Sequence, residues 1–407
     1  MALRYTSLEL RHARSPKIQH FALLAGLEAA VRGALISAMP LAVREAMGST
    51  LGSTKIYFIV GLVSLIWGLM VPWANRKIPR RWMYTGGACL YLVGSTLAIF
   101  GTSQTVALGL LLNAMATATT FVCFNAYVLD TVTKSEFSRM ESLRLLYGGI
   151  GWTVGPVLGV WLLGLWPGAP FVVTGTFAAL MLALFWWMNP GNGRVIQRAG
   201  TASANPVVFL RRFFSQPRLI AGWLFALTRS CGWWVYIVYV GLYAVESGLP
   251  ETVGGIATSM ANLGLFAAPL MLRWVLKRPV RDAVRVGFLS CGICFILATA
   301  FSALPWVTIA ILLSGSVSLI LLDICAGLPF LMSVKPSERT EMSAVYSSFR
   351  DVSGIVSPGI AWLVLKVAPL PAIFAVTGIG MLAAWAVAAH LHPRLGQKRA
   401  TSSALTD

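Results

Sequence analysis

The chain has 407 residues, of which 57% are hydrophobic and only 11% are charged. Soluble domains carry roughly 25% charged residues, so water could not solvate the surface of this chain, whereas a lipid bilayer could. The formal net charge is +18. The basic residues form short clusters between apolar runs, not one basic face, which argues against nucleic-acid binding. These features exclude a soluble domain and predict an all-α integral membrane protein.

Apolar runs of about 20 residues, the length that crosses a bilayer as a helix, recur along the whole chain. They predict twelve transmembrane helices, near residues 18–42, 55–75, 82–101, 105–129, 144–166, 169–188, 219–245, 253–274, 284–304, 306–331, 343–366 and 371–391. Pro, Gly or charged residues separate these runs, as at positions 166–168, 246–250 and 369–371.

The longest interruption, residues 189–218, divides six predicted helices from six. We therefore predict an N-terminal half at 1–188, a cytoplasmic connecting loop, and a C-terminal half at 219–407 with a short cytoplasmic tail. Four residues around the fifth predicted helix recur around the eleventh at one constant offset. The pairs are Ser135 with Ser337, Glu136 with Glu338, Met140 with Met342, and Pro156 with Pro358. Such a duplication predicts two pseudo-symmetric halves and is typical of transport proteins.

Lys and Arg are concentrated on alternate predicted loops, and the opposite loops hold only Arg44, Lys55 and Lys366. Because cytoplasmic loops carry an excess of positive charge, this asymmetry predicts that both termini are cytoplasmic. The N-terminal residues lack the apolar core and cleavage site of a signal peptide. We expect a multi-pass protein of the plasma membrane, which is the inner membrane in cells that have two membranes.

A glycine motif in the fifth predicted helix consists of Gly151, Gly155, Pro156 and Gly159. Small residues four apart let two membrane helices approach closely, and a proline bends a helix. Together with six-plus-six topology and a long middle loop, this motif resembles the Major Facilitator Superfamily. It is nearest to the antiporter motif of the drug/proton exporters. The resemblance covers essentially the whole chain and implies a secondary transporter, although tight packing alone also explains the glycines.

The basic loop before the third predicted helix, with Arg80 and Arg81, resembles the gating loop of the same superfamily. It departs from that loop because Arg76 and Pro79 stand where an Asp and a Gly are expected. Positive-inside anchoring also explains most of this charge. The exporters' arginine motif of the fourth helix is absent, with Asn113 near its place, which leaves the usual proton relay in doubt.

Charged residues at bilayer depth are costly and usually face an interior or a pathway. Glu28 and Arg32 in the first predicted helix are four positions apart and share one helix face. Arg229 reaches the same depth in the seventh. The resemblance implies that helices one and seven line a central cavity. We therefore predict that these three residues form a cluster for substrate and proton coupling, with a static salt bridge as the alternative.

Polar and aromatic residues near this depth are candidates for lining the cavity: Phe225, Trp233, Tyr236, Asn113 and Asn125. Aromatic rings suit flat or lipophilic ligands and cations. They are also common on lipid-facing surfaces, and the asparagines could merely bridge helices, so both interpretations stay open.

In the C-terminal half, Asp323 and Arg350 have equal depth on successive predicted helices. That depth predicts an Asp323–Arg350 pair that is structural or gating, with Asp351 facing polar groups or water.

The pattern as a whole predicts proton-coupled export of a small organic molecule by alternating access. Symport import of an anionic metabolite is the alternative, since two membrane arginines stand against one acid. A receptor or assembly factor that kept the fold but lost transport is the other. No nucleophile–base pair, metal-ligand spacing or phosphate loop occurs, so we expect no enzyme activity, metal or cofactor. The expected partners are a small-molecule substrate, protons and the lipid bilayer, for a chain acting as a monomer.

Overall fold

The structure, a computed structural model, describes residues 18–132, 137–188, 212–334, 342 and 345–391. Every regular element within these ranges is a helix, which confirms the all-α prediction. The chain divides into two compact units, Met1–Ala199 and Gly200–Asp407. Most of the predicted connecting loop and the predicted cytoplasmic tail lie outside the described residues.

The described residues of unit 1 form six helices, and each coincides with one predicted span. They are α1 (Ile18–Met47), α2 (Thr50–Lys77), α3 (Arg80–Ile99), α4 (Ser103–Thr131), α5 (Phe137–Leu165) and α6 (Ala169–Met188). Tight reversals join the first four. Gly48 after α1 and Gly101 after α3 have φ of +70° and +67°, a left-handed conformation that glycine adopts without strain. The next residue in each case, Ser49 or Thr102, caps the following helix with its hydroxyl.

The described residues of unit 2 form one long helix and several shorter ones. They are α7 (Pro217–Glu246), α8 (Thr252–Leu263), α9 (Ala268–Leu276), α10 (Val280–Ala300), α11 (Pro305–Cys325), α12 (Leu328–Ser333), α13 (Phe349–Leu365) and α14 (Pro371–Ala388). A 3₁₀ segment, Gly264–Ala267, joins α8 to α9, so these two helices follow one another along a single predicted span.

Nine helical segments of the described ranges are long and apolar enough to cross a membrane. The three predicted spans that are not among them coincide with α3, α7 and α13. These helices carry Arg81, Arg229 and Arg350, and α13 has only 17 residues. The multi-pass membrane architecture is therefore confirmed, while the count of twelve crossings stays a prediction.

Each unit keeps a dense aromatic interior and an apolar exterior. In unit 1, the buried rings of Tyr84 and Phe185 stack at 4.2 Å between centroids. On the outside, Leu69 is 71% exposed, and in unit 2 Leu276 is 75% exposed. Large apolar side chains with this exposure would be unfavourable in water but are the expected surface in lipid.

Candidate functional site

Glu28 is a buried carboxylate in the first half of α1. The residue is 7% exposed, and Thr120 of α4 donates a hydrogen bond from its hydroxyl to Glu28 Oε1 at 3.2 Å. A charged group that is taken out of water costs several kcal/mol unless it is compensated. One hydroxyl donor is modest compensation for this carboxylate.

Arg32 lies one turn after Glu28 on α1 and contacts an aromatic ring. Its guanidinium carbon is 5.0 Å from the centroid of the Trp152 ring in α5. Arg32 and Arg144 both lie within electrostatic range of the Glu28 carboxylate. We name Glu28, Arg32, Thr120 and Trp152 the Glu28 cluster. The predicted proximity of Glu28 and Arg32 is present, but the contact made by Arg32 is a cation–π interaction.

The glycine motif of α5 packs directly on the backbone of α1. A Cβ atom built at Gly155 would lie 2.5 Å from the carbonyl carbon of Gly33. One built at Gly151 would lie 2.7 Å from the carbonyl carbon of Ala29, and one at Gly159 would collide with the carbonyl oxygen of Ala34. No side chain fits at these positions. The motif therefore fixes the turns of α1 that carry Glu28 and Arg32.

A second charged site lies within unit 2. Arg229 Nε of α7 is 3.1 Å from Asp323 Oδ1 of α11, and the Trp233 indole donates a hydrogen bond to Asp323 Oδ2 at 2.9 Å. Asp323 keeps 34% of its side-chain surface exposed. The sequence had predicted Arg350 as the partner of Asp323 and had assigned Arg229 to the Glu28 group. Asp323 thus forms an ion pair with Arg229, a partner that the sequence analysis did not assign to it, while the predicted pair with Arg350 stays a prediction.

Phe349, at the start of α13, lies beside both arginines of this site. The guanidinium carbons of Arg229 and Arg350 are 5.3 Å and 5.7 Å from its ring centroid. Arg350 also lies within electrostatic range of the Asp323 carboxylate. We name Arg229, Trp233, Asp323 and Phe349 the Asp323 cluster. Asp351, the next acid along the chain, is exposed, and its polar surroundings stay a prediction.

Two aromatic residues predicted to line a cavity belong to the interior of unit 2. Phe225 and Tyr236 are fully buried. Phe225 packs against Phe288 of α10 with 5.6 Å between ring centroids, and the Tyr236 hydroxyl donates to the carbonyl oxygen of Ala257 at 2.9 Å. They are three helical turns apart and share the packed face of α7. Only Trp233 of the three is directed to the charged site.

The two asparagines that were predicted to line the cavity have different surroundings. Asn113 is 5% exposed, and its Nδ2 donates to the carbonyl oxygen of Gly109 in its own helix. A Cβ atom built at Gly94 of α3 would lie 2.9 Å from Asn113 Nδ2, so Asn113 lies where α3 and α4 meet, and its role in lining a cavity stays a prediction. Asn125 is half-buried and accepts a hydrogen bond from Arg144 Nη1 at 3.4 Å, which places it at the edge of the Glu28 cluster.

The two arginines of the predicted gating loop point to different neighbours. The Arg80 guanidinium carbon is 5.3 Å from the ring centroid of Tyr127. The Arg81 guanidinium carbon is 3.9 Å from that of Trp186. Both residues begin α3, so they belong to a helix end and not to an extended loop. Their gating role stays a prediction.

Sequence reasoning missed three residues of these clusters. Thr120 lies in a threonine-rich stretch inside the apolar α4, and a polar run at that depth was a usable signal. Trp152 lies within the glycine motif of α5, but its contact with Arg32 depends on the packing of α5 on α1. Phe349 precedes Arg350 and had no signal of its own.

The Arg229–Asp323 pair is expected to be energetically coupled. In a double-mutant cycle of Arg229→Gln and Asp323→Asn, we expect a coupling of about 1 kcal/mol, because the pair is only partly exposed. Thermal unfolding of the purified protein in detergent measures it. The matched control is the neighbouring pair Arg281 and Asp282, whose side chains are 28% and 43% exposed, with an expected coupling of a few tenths of a kcal/mol. Equal couplings in the two cycles would contradict this prediction.

Comparison with known proteins adds the following. The family model described as Major Facilitator Superfamily matches residues 21–358. A search of the curated proteins found no match. Among solved structures, a variant of the nucleoside transporter NupG has a TM-score of 0.70 and 13% sequence identity, over 92% of this chain and 99% of its own.

Two further solved structures have the same fold. A POT family transporter in complex with a thioalcohol-conjugated peptide has a TM-score of 0.70 and 11% identity, over 93% of this chain and 96% of its own. A bacterial homologue of the iron transporter ferroportin, in an inward-facing state, has a TM-score of 0.66 and 16% identity, over 91% of this chain and 96% of its own.

Proposed function

The chain belongs to the Major Facilitator Superfamily, and on this premise we propose that it exports a small organic molecule in exchange for protons, by alternating access. Membership makes the chain an integral multi-pass membrane protein that transports a solute, and not an enzyme. The direction of transport, the coupling to protons and the roles of individual residues are parts of the proposal.

One observation carries the proposal: the antiporter-like motif packs on the turns of α1 that hold the Glu28 cluster. Gly151 contacts Ala29, the residue after Glu28, and Gly155 contacts Gly33, the residue after Arg32. Trp152, between these glycines, is the ring that Arg32 contacts. A motif typical of exporters and a buried carboxyl are thus parts of one assembly, which supports a coupling role for both.

Glu28 is the proposed proton carrier. When it is ionised, Thr120 donates to its carboxylate and the charges of Arg32 and Arg144 lie within range. When it is protonated, the attraction between Glu28 and these arginines disappears, while the contact of the Arg32 guanidinium with Trp152 remains. Proton binding therefore changes the electrostatic balance on α1, and a cationic substrate would compete with the proton for the same carboxylate.

A second function, uptake of an anionic metabolite by symport, is favoured by one feature of the Asp323 cluster. Arg229 Nε–H has no hydrogen-bond acceptor among the described residues, although Asp323 lies 3.1 Å away. An ion pair without hydrogen-bond geometry is easier to open than one with both. A substrate carboxylate could replace Asp323 on Arg229, and Asp323 would then be free to take up a proton.

Ligand charge separates the two functions. We expect lipophilic cations to raise the unfolding temperature of the purified protein at alkaline pH, because a ligand that binds only the folded state stabilises it. That effect should be lost in Glu28→Gln and kept in Arg229→Ala. Stabilisation by small carboxylates that is lost in Arg229→Ala would overturn the exporter in favour of the importer. Ligand binding without flux in vesicles would indicate a receptor.

The arrangement in the membrane is also proposed. Both termini are placed on the cytoplasmic side of the plasma membrane, the halves are placed at 1–188 and 219–407, and the chain is taken to act as a monomer. Concentration of Lys and Arg on alternate loops supports the orientation. A cysteine-labelling experiment on the two termini, with reagents that do not cross the membrane, tests it directly.

A further inference from the structure

One end of unit 1 presents an arginine that lies against an indole ring. Arg81, in the first turn of α3, has its guanidinium carbon 3.9 Å from the centroid of Trp186, near the end of α6. The Trp186 indole donates to Thr85 Oγ1 at 3.2 Å, which holds the ring in place. Arg81 Nε is buried and has no acceptor among the described residues. A buried donor without an acceptor is uncommon in folded proteins and calls for an explanation.

Two further exposed tryptophans are chain neighbours of Arg81 and of Trp186. Trp82 is 56% exposed and meets Trp186 edge to face at 5.5 Å, and Trp187 is 61% exposed. In membrane proteins, tryptophan is enriched at the level of the lipid headgroups, where its ring meets acyl chains and its N–H meets water. Tryptophan at this end of α3 and α6 is therefore consistent with a position of Arg81 at headgroup depth, with its guanidinium packed on Trp186.

Unit 2 contains a counterpart with one difference. Arg285 near the start of α10 lies 5.0 Å from the ring centroid of Trp385 near the end of α14, and its Nε also has no acceptor among the described residues. At this helix start, however, Asp282 lies in the first turn and pairs with Arg281 at 3.2 Å. The first turn of α3 contains no acidic residue.

We propose that Arg81, with Trp82 and Trp186, binds the phosphate group of an anionic membrane phospholipid. The guanidinium offers donors in a planar fork that matches a phosphate, and the indoles contact the glycerol region and the upper acyl chains. The Arg285 counterpart binds such a lipid less well, because the carboxylate of Asp282 repels a second anion. This site is separate from the Glu28 and Asp323 clusters and does not depend on the proposed function.

Lipid-dependent unfolding tests the proposal. The full chain in detergent is titrated with phosphatidylglycerol, and the lipid concentration that gives half of the maximal thermal stabilisation is measured. We expect Arg81→Gln to raise that concentration about fivefold, since one basic side chain near an anionic lipid surface contributes on that scale. Arg285→Gln, the matched control, should raise it less than about twofold. Arg81→Lys keeps the charge but loses the planar fork, and an intermediate shift is expected.

Three outcomes would overturn the proposal. Equal shifts in Arg81→Gln and Arg285→Gln would mean that general membrane charge, and not this site, binds the lipid. An unchanged titration in Arg81→Gln would remove the role of the arginine. Inorganic phosphate that reproduces the stabilisation without lipid would make the ligand a soluble anion. Titration with phosphatidylcholine, whose headgroup has no net charge, should give no difference between the variants. If Arg81→Gln fails to fold, the Arg81→Lys titration still decides, and wild-type behaviour there would contradict the role of the fork.

Discussion

Replacing Glu28 with glutamine is expected to abolish proton-driven flux while the protein stays folded. Glutamine has the size of glutamate, and its carbonyl oxygen can still accept the hydrogen bond from Thr120. The cost in unfolding free energy should therefore stay below about 1.5 kcal/mol. What disappears is the exchange of a proton at this position. Flux of a stabilising ligand into or out of proteoliposomes, driven by an imposed pH gradient, is the measurement.

Glu251→Gln is the matched control, because it makes the same chemical change at an exposed residue between α7 and α8. Its flux should equal that of the unaltered protein. A Glu28→Gln variant that still transports against a substrate gradient when only the pH gradient is imposed would remove Glu28 from the coupling. A variant that keeps exchange between substrate pools but loses the pH-driven component would strengthen its assignment as the proton carrier.

Gly155→Ala is expected to destabilise unit 1 by about 1–3 kcal/mol. The added methyl group would lie 2.5 Å from the carbonyl carbon and 2.7 Å from the Cα atom of Gly33. Both atoms are backbone, so no side chain can rotate away, and α5 must move off α1. The displacement would also carry Trp152 away from Arg32, so transport should fall together with the unfolding temperature.

Gly164→Ala provides the comparison within the same helix. A Cβ atom built at Gly164 meets no other atom within 4 Å, and alanine is the better helix former by roughly 1 kcal/mol. This variant should be as stable as the unaltered protein or more stable. Thermal unfolding of both variants in the same detergent decides the point. Equal stabilities would show that close approach of α1 and α5 does not limit stability.

The helices were predictable because hydropathy and helix-breaking residues act locally. The break at positions 166–168 separates α5, which ends at Leu165, from α6, which begins at Ala169. Glycine spacing in α5 also predicted a close helix contact, but not the partner. That contact depends on Gly33 and Ala34, which are more than one hundred residues earlier in the sequence.

The charged pairs were less predictable because depth along a helix does not specify direction around it. Arg229 was grouped with Glu28 because of its depth, and that depth gave no indication of its ion pair with Asp323. Phe225 and Tyr236 were candidates for lining a cavity, and their depth did not show that both are buried on the packed face of α7. A helix periodicity gives relative directions, but which direction faces the interior depends on the neighbouring helices. Thr120 illustrates the same limit, since its contact with Glu28 spans 92 positions.

The 3₁₀ segment between α8 and α9 has a consequence for how unit 2 can bend. Within it the backbone hydrogen bonds run over three residues, as where Ala268 N–H donates to the carbonyl oxygen of Leu265. A span in lipid cannot leave backbone groups without partners. Here the backbone changes from α-helix to 3₁₀-helix, and the Ala268 amide still has a hydrogen-bond acceptor. Backbone hydrogen bonding therefore continues through the span, while the 3₁₀ segment can act as a hinge. We expect α9 to tilt about Gly264–Ala267 at little cost in hydrogen bonds.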